Sequence, residues 1–322
     1  MAFMILLLMA CPSKLADTAP TAEAQEPFSF AILTDLHVGE GFLDYAGGMW
    51  TDSGEGASSQ VTDNVQAVVD KVNARASDLD FAVVLGDLTD SGESSELTGA
   101  RNLLDGLQIP WIPLLGNHDV WPYAWDSANS VWAESETPTG DVRLVSALSN
   151  AYDGWDGLVL AEDVVVDPES GFEARYVNFR FDWKNFRFVA VDWITRVHAP
   201  GGEPGVGPIA DIHNIVGGSW PFFTNEVEAW AGYPGHVIAL AHHPPKPLVV
   251  DSFSLDEANT LDTFLAGQDA IWGFFAGHWH VDQVETVGDA ALPVVVTPAA
   301  KDGGARIVSI GEDGTVSYEE LL

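Results

Sequence analysis

Cysteine is nearly absent: one occurs in 322 residues, at position 11. A disulfide scaffold is therefore excluded. Basic residues are scarce as well, with Lys and Arg together numbering 13 against 48 Asp and Glu, for a formal net charge of -35. A surface that acidic repels phosphate backbones, so nucleic-acid binding is not expected. A small phosphorylated molecule stays admissible if something locally positive offsets the field. There is no glycine period and no internal repeat, which removes collagen-like and solenoid architectures. What is present is apolar: 47 % of the residues are hydrophobic, with 16 Phe and 12 Trp. That is enough to bury a sizeable core, so disorder over most of the length is excluded.

The residues Met1–Ala10 are almost entirely apolar, yet too few for a bilayer span, which takes roughly 20. The run ends Leu8-Met9-Ala10-Cys11 and resembles the lipobox of bacterial lipoproteins, in which the cysteine carries lipid after cleavage. The resemblance implies a signal peptide over 1–10, a lipidated Cys11, and export to the bacterial cell envelope on its periplasmic or surface face. The basic segment usual in such signals is missing, since no Lys or Arg precedes Cys11. Residues 11–27 carry Pro12, Pro20 and Pro27 among small polar residues and read as a flexible tether. Residues 28–322 read as one layered α/β domain.

Phe28–Leu33, Phe81–Leu85 and Trp111–Leu115 are short apolar runs that read as buried strands. Between them, Val61, Val65, Val68, Val69, Val72 and Ala76 recur at helical spacing, and 95–107 reads as a second helix. Strand, helix, strand, helix, strand predicts parallel βαβ units. Ala174–Phe181 and Phe186–Val191 read as paired strands, and Val237–Ala241 and Ile271–Phe275 as further buried runs. The tail, with runs at 281–286, 293–297, 305–310 and 315–319, reads as successive antiparallel strands.

Each polar cluster of interest follows one of these strands. They are Asp35-Leu36-His37, Gly86-Asp87-Leu88-Thr89-Asp90, Gly116-Asn117-His118-Asp119, His242-His243-Pro244-Pro245 and Gly277-His278-Trp279-His280. Ligand sites assemble at strand C-termini in α/β sheets. Imidazole and carboxylate without thiolate favour Mn, Fe, Zn or Co, and so many ligands suit two ions rather than one tetrahedral ion. In extended backbone, residues i and i+2 point the same way, so D-x-H and H-x-H would each aim both side chains at one site.

In this order the five clusters resemble the calcineurin-like metallophosphoesterases, matching their D-x-H, G-D-x-x-D, G-N-H-D/E, H and G-H-x-H signatures over roughly residues 28–300. The resemblance implies a four-layer α-β-β-α sandwich of two mixed sheets and a dinuclear centre of divalent metal ions. Asp35, His37 and His280 would hold the first metal, Asp87 would bridge, and Asn117, His242 and His278 would hold the second. His242 is preferred to His243 as the ligand. His118 would assist the leaving group, with Asp119 orienting it, and Asp90 would be a supporting or loop-shaping residue. The reaction implied is hydrolysis of a phosphomonoester or phosphodiester, small or surface-available, by a hydroxide shared between the metals. Two dications less the charges of Asp35 and Asp87 leave a positive centre that can hold a phosphate within an acidic molecule. Asp90 stands where the purple acid phosphatases carry a tyrosine ligand, which argues against a ferric-tyrosinate centre.

Two rivals remain: a non-catalytic metal-binding surface lipoprotein, and a nuclease of the same fold, which the charge disfavours. His198, His213 and His236 lack a strand-end context and read as ordinary histidines. The aromatic stretch 121–132 reads as a core helix or as a rim that stacks substrate. The Gly- and Pro-rich stretch 195–221 reads as a long loop, and Arg143 and Arg196 are weak candidates for a phosphate contact.

Overall fold

A computed structural model describes residues 26–40, 59–120, 123–126, 131–134, 140–155, 157–166, 173–196, 208–212, 219–231, 236–246, 252–287, 292–312 and 315–321. Cys11, the proposed signal and most of the tether lie outside them, as do His198, His213 and most of the 195–221 loop.

The first sheet contains β1 (Phe28–Leu33), β2 (Phe81–Leu85) and β3 (Trp111–Leu114). These three run parallel, with Phe30 opposite Phe81 and Val83 opposite Ile112. Helices α1 (Ser59–Asn73) and α2 (Ser94–Leu104) make the crossovers. A hairpin, β4 (Tyr123–Asp126) with β5 (Val131–Glu134), follows, then α3 (Gly140–Leu148) and β6 (Val159–Val166). The second sheet continues through β7 (Glu173–Trp183), β8 (Phe186–Val191), α4 (Ser219–Trp230), β9 (His236–Ala241), α5 (Leu255–Ala266) and β10 (Ile271–Ala276). The tail forms β11 (Gln283–Val287), β12 (Leu292–Val296), β13 (Arg306–Ile310) and β14 (Val316–Glu320).

The strand orders are β14-β13-β1-β2-β3 in one sheet and β11-β12-β10-β9-β8-β7-β6 in the other. Both are mixed. The tail is therefore not one antiparallel run: β12 lies parallel to β10 in the second sheet, while β13 crosses to pair antiparallel with β1 in the first. Alternation along a strand shows patterning but not the partner. The helix considered for 121–132 is also corrected, because β4 and β5 are strands there.

Period-2 alternation builds the layers. On β8, Phe188 and Ala190 join the core between the sheets, whereas Val189 and Val191 join the core under α4 and α5. Between the sheets, Phe30, Phe81, Phe181 and Phe188 meet ring to ring at 4.7–5.5 Å. Each such fully buried ring contributes on the order of 1.5–3 kcal/mol. On the outer faces, Val61, Val65, Val68 and Val72 of α1 are buried, as are Phe223, Val227, Leu261 and Leu265 of α4 and α5. The result is α-β-β-α. Parallel strands of both sheets end at the same edge, which is where the site forms. No helix among the described residues is long and apolar enough to cross a membrane.

Candidate metal centre

The backbone past β1 and β2 keeps pairing after the strands end. Asp35 N–H donates to the Gly86 carbonyl, His37 N–H to Asp87, Val38 N–H to Leu88, and Asp90 N–H back to Val38. Six non-glycine residues among those described have positive φ, and five are Asp35 (53°), His37 (43°), Asp87 (51°), His278 (67°) and His280 (54°). The sixth, Lys184, sits in the β7–β8 turn. Left-handed backbone costs an L-residue about 1–2 kcal/mol, and such strain concentrates at functional sites. It also corrects the extended-backbone reading of D-x-H and H-x-H: both motifs aim their side chains from left-handed residues beyond the strand ends. Gly277 permits the approach of the second sheet, since a Cβ there would stand 1.9 Å from Thr34 Oγ1 and 2.7 Å from Asp35 Oδ2.

Protein donors orient both carboxylates, and the His278 N–H is shared between the two Asp35 oxygens, at 3.2 Å from Oδ1 and 3.0 Å from Oδ2. Asp35 Oδ2 accepts from Thr34 Oγ1 at 2.8 Å and from His278 N–H at 3.0 Å. Its Oδ1 lies 3.1 Å from His280 Nε2. Asp87 Oδ1 accepts from His118 N–H at 2.9 Å, while its Oδ2 lies 3.1 Å from His242 Nε2 and 3.5 Å from His37 Nε2. The imidazoles are anchored in the same way. His37 Nδ1 is 3.1 Å from Asp90 Oδ1, and His242 Nδ1 is 2.7 Å from the Leu85 carbonyl. A proton on each Nδ1 leaves the Nε2 lone pair for the site.

The atoms that then converge are all acceptors. His37 Nε2 and His280 Nε2 are 3.2 Å apart, and His242 Nε2 is 3.1 Å from Asn117 Oδ1. Asp35, His37, Asp87, Asn117 and His242 are all buried. Facing lone pairs at these distances, in low dielectric, demand cations or protons between them. The set fits divalent metals of the borderline class. Potential ligand atoms of Asp35, His37 and His280 lie within 4.8 Å of one another, as do those of Asp35, Asp87 and His242, and those of His242, His243 and His278. Without metal, protons take that place. Burial opposes a charged His242, but Asp87 and Asp35 outweigh it and push the imidazole up to about 9. Burial would raise Asp87, but His242, His118 and His37 hold it well below the usual carboxylate range.

Of the two adjacent histidines, His242 reaches Asp87 and Asn117. His243 is buried, its ring 4.2 Å from that of His278, with neither nitrogen hydrogen-bonded. Burial and the neighbouring His278 and His242 keep it neutral.

The partner expected for His118 is corrected. His118 Nδ1 lies 2.6 Å from the Asp90 carbonyl oxygen and 3.7 Å from Asp90 Oδ1. Asp119 is engaged elsewhere: Oδ1 accepts from Thr89 N–H and Thr89 Oγ1, each at 2.9 Å, and Oδ2 from Gly116 N–H at 2.8 Å. It ties the loop after β3 to the loop after β2. Asp90 thus serves two imidazoles, His37 through its carboxylate and His118 through its carbonyl. Burial would lower His118, but Asp87 and Asp90 raise it above its ordinary value. Thr34, which aims Asp35, was missed in the sequence; a hydroxyl closing an apolar strand was its only signal. Arg196 is spent on a buried pair with Asp192 at 2.7 Å, on the Ile194 and Arg175 carbonyls, and over the Tyr176 ring. His236 opens β9, at the other end of the strand from His242. The side chains of Arg143 and of the 121–132 aromatics lie outside the described residues.

The sequence model of the calcineurin-like phosphoesterases matches residues 28–282. The chain belongs to that family. As a calcineurin-like phosphoesterase it is a hydrolase of phosphate esters that depends on metal. No curated protein matches it. Among solved structures it is similar to a dimetal phosphatase from Danio rerio, at 15 % identity and TM-score 0.53, over 91 % of this chain and 98 % of that one. It is similar also to a purple acid phosphatase from yellow lupin (Lupinus luteus) seeds, at 12 % identity and TM-score 0.53, over 92 % of this chain and 52 % of that one. A Thermus thermophilus protein, TT1561, aligns at 9 % identity and TM-score 0.50, over 92 % and 100 %. At such identities the likeness is one of fold.

Proposed function

We propose that this phosphoesterase carries a dinuclear centre and hydrolyses a small or surface-available phosphomonoester or phosphodiester. The observation that supports it is the convergence of carboxylate, imidazole and amide groups from both sheets on one buried centre. Asp35, His37 and His280 would hold one ion, Asn117, His242 and His278 the other, and Asp87 both. Two such ions, drawn from Mn, Fe, Zn or Co, would supply Lewis acidity toward the phosphoryl oxygens and make hydroxide available near neutral pH.

The chain's own groups do the rest. His118 is open to an incoming ester, with 24 % of its side chain accessible against 3 % for His37 and 1 % for His242. The carboxylates of Asp87 and Asp90 favour its protonated form, which suits donation to a departing ester oxygen. The Asp90 carbonyl fixes its Nδ1 proton, so Nε2 is the atom that gives up the proton.

We also propose that Cys11 anchors the protein in the bacterial cell envelope, on the strength of the apolar run and the Leu-Met-Ala-Cys sequence before the tether. Cys11→Ser should then move the protein from the detergent to the aqueous phase on partition. The catalytic reading is tested by assaying the soluble domain, loaded with Mn²⁺, against aryl phosphate and bis-aryl phosphate. Turnover of either supports it. Two bound ions with no turnover of either would favour a binding protein instead.

A further inference from the structure

The backbone ladder joining the two loops ends at the Asp90 N–H to Val38 carbonyl bond, at 3.0 Å. The next residue on each side, Gly39 and Ser91, meets the same side chain. Glu96 Oε2 accepts from Ser91 N–H at 2.9 Å and from Glu93 N–H at 3.2 Å, and Oε1 accepts from Ser91 Oγ at 3.1 Å. Gly39 has φ +109°, and a Cβ there would stand 1.8 Å from Glu96 Oε1. Glu96 is thus packed directly on the Gly39 backbone.

The bond to Glu93 N–H is one half of a capping box at the start of α2, which alone would explain a glutamate here. A capping glutamate, however, has no need to be buried, because its charge favours the helix N-terminus in water. Glu96 is 2 % exposed, and it reaches past the cap to both loops. One of these carries Asp35 and His37; the other carries Asp87 and Asp90.

We propose that Glu96 is a positioning residue, a buried carboxyl that clamps the loop after β1 to the loop after β2 and so sets the spacing of the ligands they carry. It touches no ligand. It acts through Ser91 on the adjacent Asp90, and through Gly39 on the turn that follows His37. The pairs that span the two loops are Asp87 with His37, at 3.5 Å, and Asp90 with His37, at 3.1 Å, so the spacing bears on the ion that His37 would hold. His242 and His278 come from the second sheet and do not depend on it. The inference rests on the dinuclear reading above.

The test is calorimetric titration of the metal-free chain with Mn²⁺, with unfolding midpoints measured alongside. Wild type should bind two ions. Glu96→Leu should weaken by about tenfold or more the step that His37→Ala abolishes, and leave the other step within about threefold. Glu96→Gln, which can keep an acceptor on Ser91 and Glu93 N–H and donate to Ser91 Oγ, should restore the weakened step. If Glu96→Leu fails to fold, Ser91→Ala must weaken the same step alone. Equal weakening of both steps, or no weakening in a folded variant, overturns the clamp. Wild type binding no Mn²⁺ overturns the dinuclear reading itself, and is distinguishable because no variant is then needed.

Discussion

The two sheets contribute unequally to the site. The first carries both inward-facing carboxylates, Asp35 and Asp87, together with His37, Asn117 and His118. The second carries only imidazoles, those of His242, His278 and His280. The first sheet therefore brings the negative charge, on loops joined by a backbone ladder, while the second brings neutral donors. Contact between the halves runs through His280 to Asp35 at 3.1 Å, His242 to Asp87 at 3.1 Å and His278 N–H to Asp35. The lesson is that charge and geometry are supplied separately. Cations belong where the two meet, and Asp87 is the residue facing both sides.

The largest effect should come from Asp87. Asp87→Ala removes the oxygen that faces His37 and His242 together, so elemental analysis should show both ions lost and turnover should vanish. Retention of two ions would break the comparison. His118→Ala should lower turnover by on the order of 10²–10⁴-fold, with metal content unchanged; loss of metal would reassign His118 as a ligand. Asp90→Ala should weaken metal binding about 10–100-fold, on the His37 side only, and should also move the alkaline limb of the rate profile, set by loss of the His118 proton, to lower pH. Asp119→Asn should do neither, because its carboxylate bonds to the loop and not to an imidazole.

The comparison is sharpened by pH. With metal absent, His242 is raised to about 9 while an unfolded histidine titrates near 6.5. The metal-free fold holds this stabilisation fully below about 6.5 and loses it as pH rises toward 9. Metal binding must displace that proton, so apparent affinity should fall up to about tenfold per pH unit below 9. Titrations in buffers of different ionisation enthalpy would count the proton. A second pH effect concerns Glu96, pushed by burial up to about 8. Stability should decline as pH rises from about 4.5 to 8, by at most about 1.4 kcal/mol per unit. Glu96→Gln should remove that part of the slope.

Much of this was legible in the sequence. The strands at 28–33, 81–85, 186–191 and 271–276 are apolar runs followed within two residues by Asp or His, and such a residue after an apolar run announces a strand edge. The pairing of the tail was not legible, because β12 and β13 have similar patterns and only tertiary packing assigns them to different sheets. The hairpin at 123–134 was hidden for a similar reason, since aromatics at short spacing fit a helix face as well as a strand. The partner of His118 was misread because adjacency suggested Asp119, whereas the loop turns that carboxylate toward Thr89 and Gly116. The left-handed backbone at five site residues has no pattern in the residue types, as it is imposed by the ladder and the close approach of Gly277.

The most direct test is a crystal structure of the chain grown with Mn²⁺, read by anomalous scattering. Two peaks about 3.5–4 Å apart, one against Asp35, His37 and His280, the other against Asn117, His242 and His278, and both against Asp87, are the predicted result. A single peak, or two that do not share Asp87, would contradict it.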